Sequence, residues 1–157
     1  MDRLSALMLR ASLVWLATGA VLGGIMLNDR GKVSEGSAYN CFLVRKGTLI
    51  TPPVTADILE GITRRSLIEL ALEQGIPVEE REIDRTELYV ADEMFLCGTG
   101  VQLAPVTSID RRTIGSGRPG PVTMAVQQRF FDVIRARVPE YNHWLTPVPV
   151  AQAVAAD

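Results

Sequence analysis

The sequence predicts a single domain of the α+β class. Short apolar segments separated by turns occupy residues 32–51, and amphipathic helix patterns follow at residues 64–74 and from Pro121 onward. Neither an internal repeat nor a linker divides the 157 residues. A chain of this length can bury a substantial core as one domain.

Composition and charge exclude several classes of protein. The formal net charge is -2 and the pI is near 5.5, and the arginines are scattered, so no nucleic-acid partner is expected. Cys41 and Cys97 are too few and too isolated for a disulfide framework or a zinc site, so no metal is expected. His143 is the only histidine, and it lies in a polar segment where we expect a surface role.

The beginning of the chain is atypically apolar. Residues 11–27 carry no charge, and this run is close to the lower length limit of a membrane-spanning helix. We expect residues 1–23 to contain a packed helix, with a membrane segment as the alternative, and a strand to follow at residues 24–27. Residues 24–147 are assigned to the main domain. Residues 148–157 form a tail of small residues that is expected to be disordered.

A β-meander opens the main domain. Strands are predicted near Val33, at residues 40–44 and at residues 48–51. Glu35 lies between the first two strands, and its surroundings alone predict a solvated turn carboxylate.

A helix follows at residues 64–74, with Thr63 as its predicted N-cap and Gly75 as its C-terminal stop. The helix has one apolar face, because its apolar residues recur at helical spacing. The side chains expected to face the core are Leu67, Ile68, Ala71 and Leu72.

The second half of the chain predicts further strands and helices. A half-exposed strand is expected at residues 76–83, a capping box at residues 84–87 opens a short helix, and strands follow at residues 94–97 and 101–109. A long helix begins at Pro121. Its expected core side chains are Val122, Val126, Phe130, Val133 and Ile134.

Two glycine-containing turns are candidates for ligand binding. The turn at residues 59–63 leads into a helix start, where backbone N–H groups are unpaired and the helix dipole is positive. Gly61 allows a ligand to approach the backbone closely. The turn Gly98-Thr99-Gly100 adds a hydroxyl and further N–H groups. Together the two turns could hold one phosphate group; the alternative is that each turn only joins two elements.

A longer series of residues, taken in order, resembles one protein family. The series is Ser34-Glu35-Gly36-Ser37, Asn40, Phe42, Thr51-Pro52-Pro53, Leu59-x-Gly61-Ile62-Thr63-Arg64, Leu88-Tyr89-x-Ala91-Asp92-Glu93, Gly98-Thr99, Pro105-Val106 and Gly117-Arg118-x-Gly120-Pro121-Val122-Thr123. It is similar to the C-terminal domain of branched-chain amino acid aminotransferases, which are class IV pyridoxal-phosphate enzymes. The resemblance implies the D-amino-acid-aminotransferase-like fold, with a mixed or barrel-like β core and packed helices.

The resemblance implies a role for each matching residue. Glu35 would pair with the pyridine nitrogen of pyridoxal 5'-phosphate, which keeps the ring an electron sink. Leu59 would pack on the cofactor ring. The helix start Gly61-Ile62-Thr63 would bind the phosphate, with Thr99 as a second phosphate contact. The Thr99-Gly100 backbone would face the substrate carboxylate.

The sequence departs from the family pattern in several places. The family's Schiff-base lysine would fall at about Met1, where this chain has no lysine, and Lys32 and Lys46 match no family position. The smaller N-terminal domain of the family is expected to be missing, because no stretch of the sequence resembles it. Tyr39 stands where glutamate is more common, which leaves the substrate open. We therefore expect a truncated chain with little activity alone, and its catalytic residue stays unassigned.

The expected reaction is transfer of the amino group of leucine, isoleucine or valine to 2-oxoglutarate, in a cytoplasmic homo-oligomer. The small-molecule partners are thus an amino acid and a 2-oxo acid. A D-amino-acid aminotransferase or an aminodeoxychorismate-lyase-like member of the same family is the alternative. A non-catalytic binding or oligomerising domain is the alternative from another class.

Overall fold

The structure is a computed structural model that describes residues 14–18 and 21–147. In these residues ten strands, two α-helices and three short 3-10 helices are present. The strands are β1 (Val14–Thr18), β2 (Val21–Leu27), β3 (Val33–Gly36), β4 (Asn40–Arg45), β5 (Thr48–Thr51), β6 (Val78–Glu80), β7 (Glu93–Gly98), β8 (Gln102–Pro105), β9 (Ser108–Ile109) and β10 (Arg112–Thr113). The α-helices are α1 (Ile62–Glu73) and α2 (Pro121–Ile134), and the 3-10 helices are Val54–Ala56, Arg85–Tyr89 and Pro139–Trp144.

The strands form two sheets of five strands each. One sheet has the order β10-β9-β1-β2-β3 and the other the order β6-β5-β4-β7-β8. The pair β5–β6 is parallel, whereas the pairs around β4 and β7 are antiparallel, so the second sheet is mixed as expected. Within the described residues each sheet ends in strands of two to four residues and stays open. The α+β class is thus confirmed, and two open sheets stand where a barrel-like core was expected.

The central strands of the second sheet are covered on both faces. Successive side chains of a strand point to opposite faces, and five of the six residues of β4 are buried. Cys41 and Leu43 belong to a core cluster shared with the first sheet, whereas Phe42 and Val44 belong to a cluster shared with α1 and α2. The rings of Phe42 and Phe95 stack with centroids 4.9 Å apart. Because both faces of β4 are buried, the position of this strand is fixed. Its first residue, Asn40, belongs to the site described below.

The N-terminal segment contains strands where a helix was expected. β1 and β2 pair in antiparallel register from Val14 opposite Ile25 to Thr18 opposite Val21. The predicted helix is therefore wrong for Val14–Thr18, while the predicted strand at residues 24–27 is confirmed within β2. Pairing with a neighbouring strand outweighs helix preference in such a short apolar run. No helix in the described part of the chain is long and apolar enough to cross a membrane. The predicted tail at residues 148–157 lies outside the described residues.

Helix α1 begins earlier than predicted. Its N-cap is Gly61 in an extended conformation, without a side-chain cap, so the prediction of Thr63 as the N-cap is wrong. Leu72 is 55% exposed, against expectation, and Leu70 is buried instead. The buried face of α1 therefore differs from the predicted one, and it includes Arg64 at the start of the helix.

The second half of the chain differs from the prediction in two strands and in the burial of two side chains of α2. Only Val78–Glu80 of the predicted strand at residues 76–83 forms a strand, and the predicted strand at residues 101–109 divides into β8 and β9, which belong to different sheets. The capping box of Asp84 and Glu87 is confirmed. Helix α2 begins at Pro121 as predicted and buries Val126, Phe130 and Val133, whereas Val122 is only partly buried and Ile134 is 36% exposed.

A distant carboxylate caps helix α2. Glu93 of β7 is buried, and its Oε1 and Oε2 accept hydrogen bonds from the backbone N–H groups of Val122 (3.1 Å) and Thr123 (2.7 Å). An added Cβ at Gly120 would overlap the Glu93 side chain. The start of α2 and the first residue of β7 are therefore joined by two charge-assisted hydrogen bonds.

Replacing Glu93 with alanine is expected to lower the free energy of unfolding by about 2–3 kcal/mol, because hydrogen bonds to a charged group are individually worth about 1.5–3 kcal/mol. Urea unfolding of the two proteins measures the difference. Glu140→Ala is the matched control, since Glu140 is exposed. A loss no larger for Glu93→Ala than for Glu140→Ala would contradict the capping role.

Candidate functional site

A cavity of about 610 Å³ lies where the end of β3 and three connecting segments meet at the start of helix α1. The segments are the turn between β3 and β4, the loop that precedes α1, and the turn between β7 and β8. All the residues singled out from the sequence line this cavity. They are Glu35, Leu59, Gly61, Ile62, Thr63, Thr99 and Gly100.

The register of the sheet explains why these segments meet. β4 begins at Asn40, and Asn40 lies opposite Cys97 near the end of the antiparallel strand β7. The turn at Gly98-Thr99-Gly100 therefore emerges beside the turn that follows Glu35 and β3. Asn40 also donates a hydrogen bond to the carbonyl of Leu59 (2.8 Å), which brings the loop before α1 to the same place.

Two carboxylates line the cavity, and Glu35 is the partly buried one, whereas Glu60 is exposed. Its Oε2 accepts hydrogen bonds from Asn40 Nδ2 (3.0 Å) and from the backbone N–H of Leu59 (3.0 Å). Burial raises the pKa of this carboxyl above its ordinary value, and the Leu59 N–H partly opposes the rise. The expectation of a solvated turn carboxylate between two strands is wrong, because Glu35 lies within β3, is partly buried and is fixed by two donors. Such a carboxylate is suited to bind a cationic N–H group.

Sequence reasoning did not identify the role of Asn40. The sequence placed Asn40 at the start of a strand and within the family series without a role, yet its side chain is buried and bridges Glu35 and Leu59. The residues it joins lie five positions before it and nineteen positions after it along the chain. Periodicity within one strand carries no signal for such a bridge.

The start of helix α1 forms one wall of the cavity. Since the helix begins at Ile62, the N–H groups of Ile62 and Thr63 have no carbonyl one turn earlier within the helix to accept them. A Cβ at Gly61 would overlap Oδ1 of Asn40, so the backbone of this turn lies against the Asn40 amide. Thr63 lines the cavity from the first turn of the helix instead of capping it.

Arg64 follows these residues but serves the framework. Its guanidinium is buried and donates hydrogen bonds to Thr51 Oγ1 (3.2 Å) and to the carbonyl of Pro52 (2.9 Å), and it pairs with Glu80. These contacts fasten the first turn of α1 to β5 and β6. Arg64 therefore does not line the cavity, and it supports the helix start from the side that faces β5 and β6.

Two exposed apolar side chains stand at the rim. Leu59 is 73% exposed and Ile62 is 75% exposed, although large apolar side chains are normally buried. Both line the cavity. They offer apolar surface to a flat ring held between the acid and the helix start.

Neither lysine of the chain lies at this cavity. Lys32 forms an ion pair with Asp84 (2.5 Å), and Lys46 lies in the turn between β4 and β5, where its backbone N–H binds Asp92. Neither lines the cavity. From the described residues the cavity therefore obtains two carboxylates, hydroxyls and backbone N–H groups, but no lysine amine.

A second cavity of about 500 Å³ lies on the other side of the first turn of α1. Ile62 and Thr63 line it as well, but its other walls come from later residues of α1, from α2 and from the segment around Trp144. Glu35, Leu59 and Thr99 do not contribute to it. The first cavity is thus the one of the two that all the candidate residues line.

Comparisons with known proteins agree on one family. Residues 5–109 match the family model described as amino-transferase class IV. The probable branched-chain-amino-acid aminotransferase of Aquifex aeolicus is 46% identical over 136 residues, which cover 83% of this chain and 44% of that protein. The branched-chain-amino-acid aminotransferase of Escherichia coli strain K12 is 45% identical over 125 residues, which cover 80% of this chain and 40% of that protein.

Solved structures give the same result. The branched-chain amino acid aminotransferase from Thermobaculum terrenum in its PLP form has a TM-score of 0.79 and 49% identity, over 82% of this chain and 42% of that one. The branched-chain aminotransferase from Thermoproteus uzoniensis with norvaline has a TM-score of 0.77 and 44% identity, over 80% of this chain and 41% of that one. The chain spans about two fifths of the length of the relatives it matches.

Proposed function

This chain belongs to the class IV aminotransferases, and from that premise we propose that it is the cofactor-holding part of a branched-chain amino acid aminotransferase. The proposed reaction transfers the amino group of leucine, isoleucine or valine to 2-oxoglutarate with pyridoxal 5'-phosphate as the carrier. The proposed fold is the C-terminal domain of the D-amino-acid-aminotransferase-like fold, in a cytoplasmic homo-oligomer. One observation carries the proposal: Glu35, the start of α1 and the Thr99 turn converge on one cavity.

The residues of the cavity fit this cofactor. Pyridoxal phosphate needs an acceptor for its ring nitrogen, apolar surface for its ring and donors for its phosphate, and the cavity supplies all three. Glu35 is the acceptor, Leu59 and Ile62 are the apolar surface, and the helix start with the Thr99 turn is the donor set. The absence of a side chain at Gly61 is also explained, because the turn approaches Asn40 closely.

Each residue would contribute one interaction. Glu35 would bind the protonated ring nitrogen, and the bound cofactor supplies an electron sink for the electrons of the bond broken at the substrate α-carbon. Leu59 would pack on the ring. Gly61, Ile62 and Thr63 would hold the phosphate through backbone N–H groups and the Thr63 hydroxyl, with Thr99 on its other side. The Thr99-Gly100 backbone would orient the substrate carboxylate.

The proton transfer needs an amine that the described part of the cavity lacks. Because neither Lys32 nor Lys46 lines the cavity, no described residue can act there as the covalent amine or as a lysine base for the α-proton. We therefore propose that this chain binds the cofactor and has little transamination activity by itself.

Two alternative functions are each favoured by one observation. Tyr39 lines the cavity beside Asn40, where the branched-chain enzymes more often carry glutamate, and this favours a D-amino-acid aminotransferase or an aminodeoxychorismate-lyase-like member as the second candidate. The missing amine favours a non-catalytic binding or oligomerising domain as a candidate of another class. Leucine and D-alanine tested as amino donors, with the remaining part of a relative supplied separately, would distinguish the two enzymatic candidates.

Calorimetric titration of the chain with pyridoxamine 5'-phosphate tests the proposal. This ligand is chosen because its amine does not condense with Lys32 or Lys46, so only the cavity contacts are measured. We expect it to bind at least about tenfold more tightly than pyridoxamine or inorganic phosphate, since each lacks one set of contacts. A chain that shows no saturable binding, or no preference for the complete ligand, would contradict the proposal.

Glu35→Gln separates binding from folding in the same experiment. The variant keeps the shape of the side chain but loses the charge, so affinity for pyridoxamine 5'-phosphate is expected to fall about tenfold or more. Burial raises the pKa of Glu35 in the folded chain, which means that ionisation of this carboxyl opposes folding at neutral pH. The unfolding temperature of Glu35→Gln should therefore not fall. Glu140→Gln, at an exposed site, is the matched control for both measurements.

A further inference from the structure

We infer that Asn40 is the positioning residue of this cavity: its single side-chain amide holds the acid, the ring-facing loop and the helix turn in one fixed arrangement. The inference rests on the proposed function and extends it to a residue with no direct part in the chemistry. Three contacts carry it. Asn40 Nδ2 donates to Glu35 Oε2 (3.0 Å) and to the Leu59 carbonyl (2.8 Å), while Oδ1 faces the Cα of Gly61 so closely that no Cβ would fit there.

The chemistry of the partners determines the orientation of the amide. A carboxylate and a backbone carbonyl can only accept hydrogen bonds, so the nitrogen of the Asn40 amide must be the atom that faces them. The two N–H groups of one nitrogen therefore bind two different segments. The oxygen is then directed toward the third segment, at Gly61.

Asn40 also selects which oxygen of Glu35 faces the ligand. The hydrogen bonds from Asn40 and from the Leu59 N–H both end on Oε2. An oxygen with two donors has its lone pairs in use, which leaves Oε1 to accept a hydrogen bond from the protonated ring nitrogen. Without Asn40 the carboxylate could rotate and present either oxygen.

The position of Asn40 itself is rigid. It is 6% exposed and lies opposite Cys97 in the register of β4 and β7, whose side chains are buried on both faces. A site is held most accurately when its supporting residue is on a strand and is locked by packing. Since Thr99 follows Cys97 by two residues, the same strand pair also places the second turn of the cavity.

The chemistry predicts different effects for two substitutions. Asn40→Ala removes the bridge and leaves Glu35 with one donor. Asn40→Asp puts a carboxylate against the Glu35 carboxylate and the Leu59 carbonyl, where only donors are tolerated. We therefore expect Asn40→Asp to be the more damaging change although it is the closer match in shape.

Calorimetry with pyridoxamine 5'-phosphate measures the effect. We expect the affinity to fall about tenfold in Asn40→Ala and about a hundredfold in Asn40→Asp, as for the loss of a hydrogen bond to a charged group and for a buried like-charge pair. Asn142→Ala, at an exposed asparagine, should bind like the native chain. Circular dichroism and the unfolding temperature show which variants are folded.

A double-variant cycle tests positioning through the acid. If Asn40 acts through Glu35, then adding Asn40→Ala to Glu35→Gln should cost less than about threefold in affinity, although the same change costs about tenfold in the native chain. Equal costs in both backgrounds would overturn the inference that Asn40 positions the acid. A role confined to folding would not produce such a difference between backgrounds.

Hydrogen exchange of the ligand-free chain provides a readout that does not depend on the cofactor. The N–H of Leu59 should exchange at least about tenfold faster in Asn40→Ala, because the loop loses its anchor, while Asn142→Ala leaves it unchanged. Unchanged exchange in Asn40→Ala overturns the inference even if the native chain binds. If Leu59 exchanges faster in Asn40→Ala but the native chain does not bind pyridoxamine 5'-phosphate, the bridge is supported. Only the proposed cofactor site is then refuted.

Discussion

Gly61→Ala is expected to lower the affinity for pyridoxamine 5'-phosphate by about a hundredfold or more. The added Cβ would overlap Oδ1 of Asn40, so either the turn or the amide must move. A moved turn withdraws the backbone N–H groups of the helix start, and a moved amide releases Glu35. One methyl group thus disturbs the phosphate contacts and the ring contact together, which is why its expected effect exceeds that of either contact alone.

The reason for this loss is steric, and a second glycine provides the control. The φ of Gly61 is -69°, a value that alanine adopts without strain. Gly31 has a φ of 72° and open space around it, so Gly31→Ala should cost about 1 kcal/mol of stability and leave binding intact. Calorimetry and urea unfolding of both variants measure these effects. Equally tight binding of pyridoxamine 5'-phosphate by Gly61→Ala and Gly31→Ala would contradict the account.

Arg64→Ala is expected to lower the free energy of unfolding by about 3 kcal/mol or more. The guanidinium is 3% exposed, and its removal leaves Thr51 Oγ1 and the Pro52 carbonyl buried without their donor. Each buried group that loses its partner costs about 1–3 kcal/mol. The partner Glu80 is half exposed, so it can be solvated and adds less. Urea unfolding measures the loss.

The neighbouring arginine is the control for this prediction. Arg65 is adjacent in sequence and exposed, so Arg65→Ala should change stability by less than about 0.5 kcal/mol. Arg64→Ala should also weaken pyridoxamine 5'-phosphate binding, because α1 is no longer fastened to β5 and β6. Equal stabilities of the two variants would mean that the buried guanidinium does not anchor the helix start.

Local patterns in the sequence were sufficient for most elements. The strands at β4 and β5, the capping box of Asp84 and Glu87, and the start of α2 at Pro121 each depend on residues close together in the chain. The prediction at Val14–Thr18 was wrong because an apolar run of five residues fits a helix or a buried strand equally well. Its partner strand decides between them.

The side-chain bridges of the site could not be predicted from local patterns. Asn40 reaches Leu59 across 19 residues, Arg64 reaches Glu80 across 16 residues, and Glu93 reaches Thr123 across 30 residues. Each bridge depends on strand register and helix placement, which are properties of the folded chain. The prediction of Thr63 as N-cap failed for a related reason, because Gly61 with its close approach to Asn40 begins the helix.

The convergence of Glu35 and the two turns, in contrast, is expected from the family resemblance. That resemblance names residues but not their supports. The structure adds the supports: Asn40 in front of the helix start and Arg64 behind it. The two residues hold the same turn of α1 from opposite sides, one toward the cavity and one toward the framework.

Titration of the 15N-labelled chain with pyridoxamine 5'-phosphate, followed by amide NMR, tests the central claim most directly. The account predicts that the amides of Glu35, Leu59, Thr63 and Thr99 shift together along one binding curve, while those around Trp144 in the second cavity do not. Shifts confined to the second cavity, or separate curves for Glu35 and Thr99, would contradict the claim that one cavity holds both the ring and the phosphate.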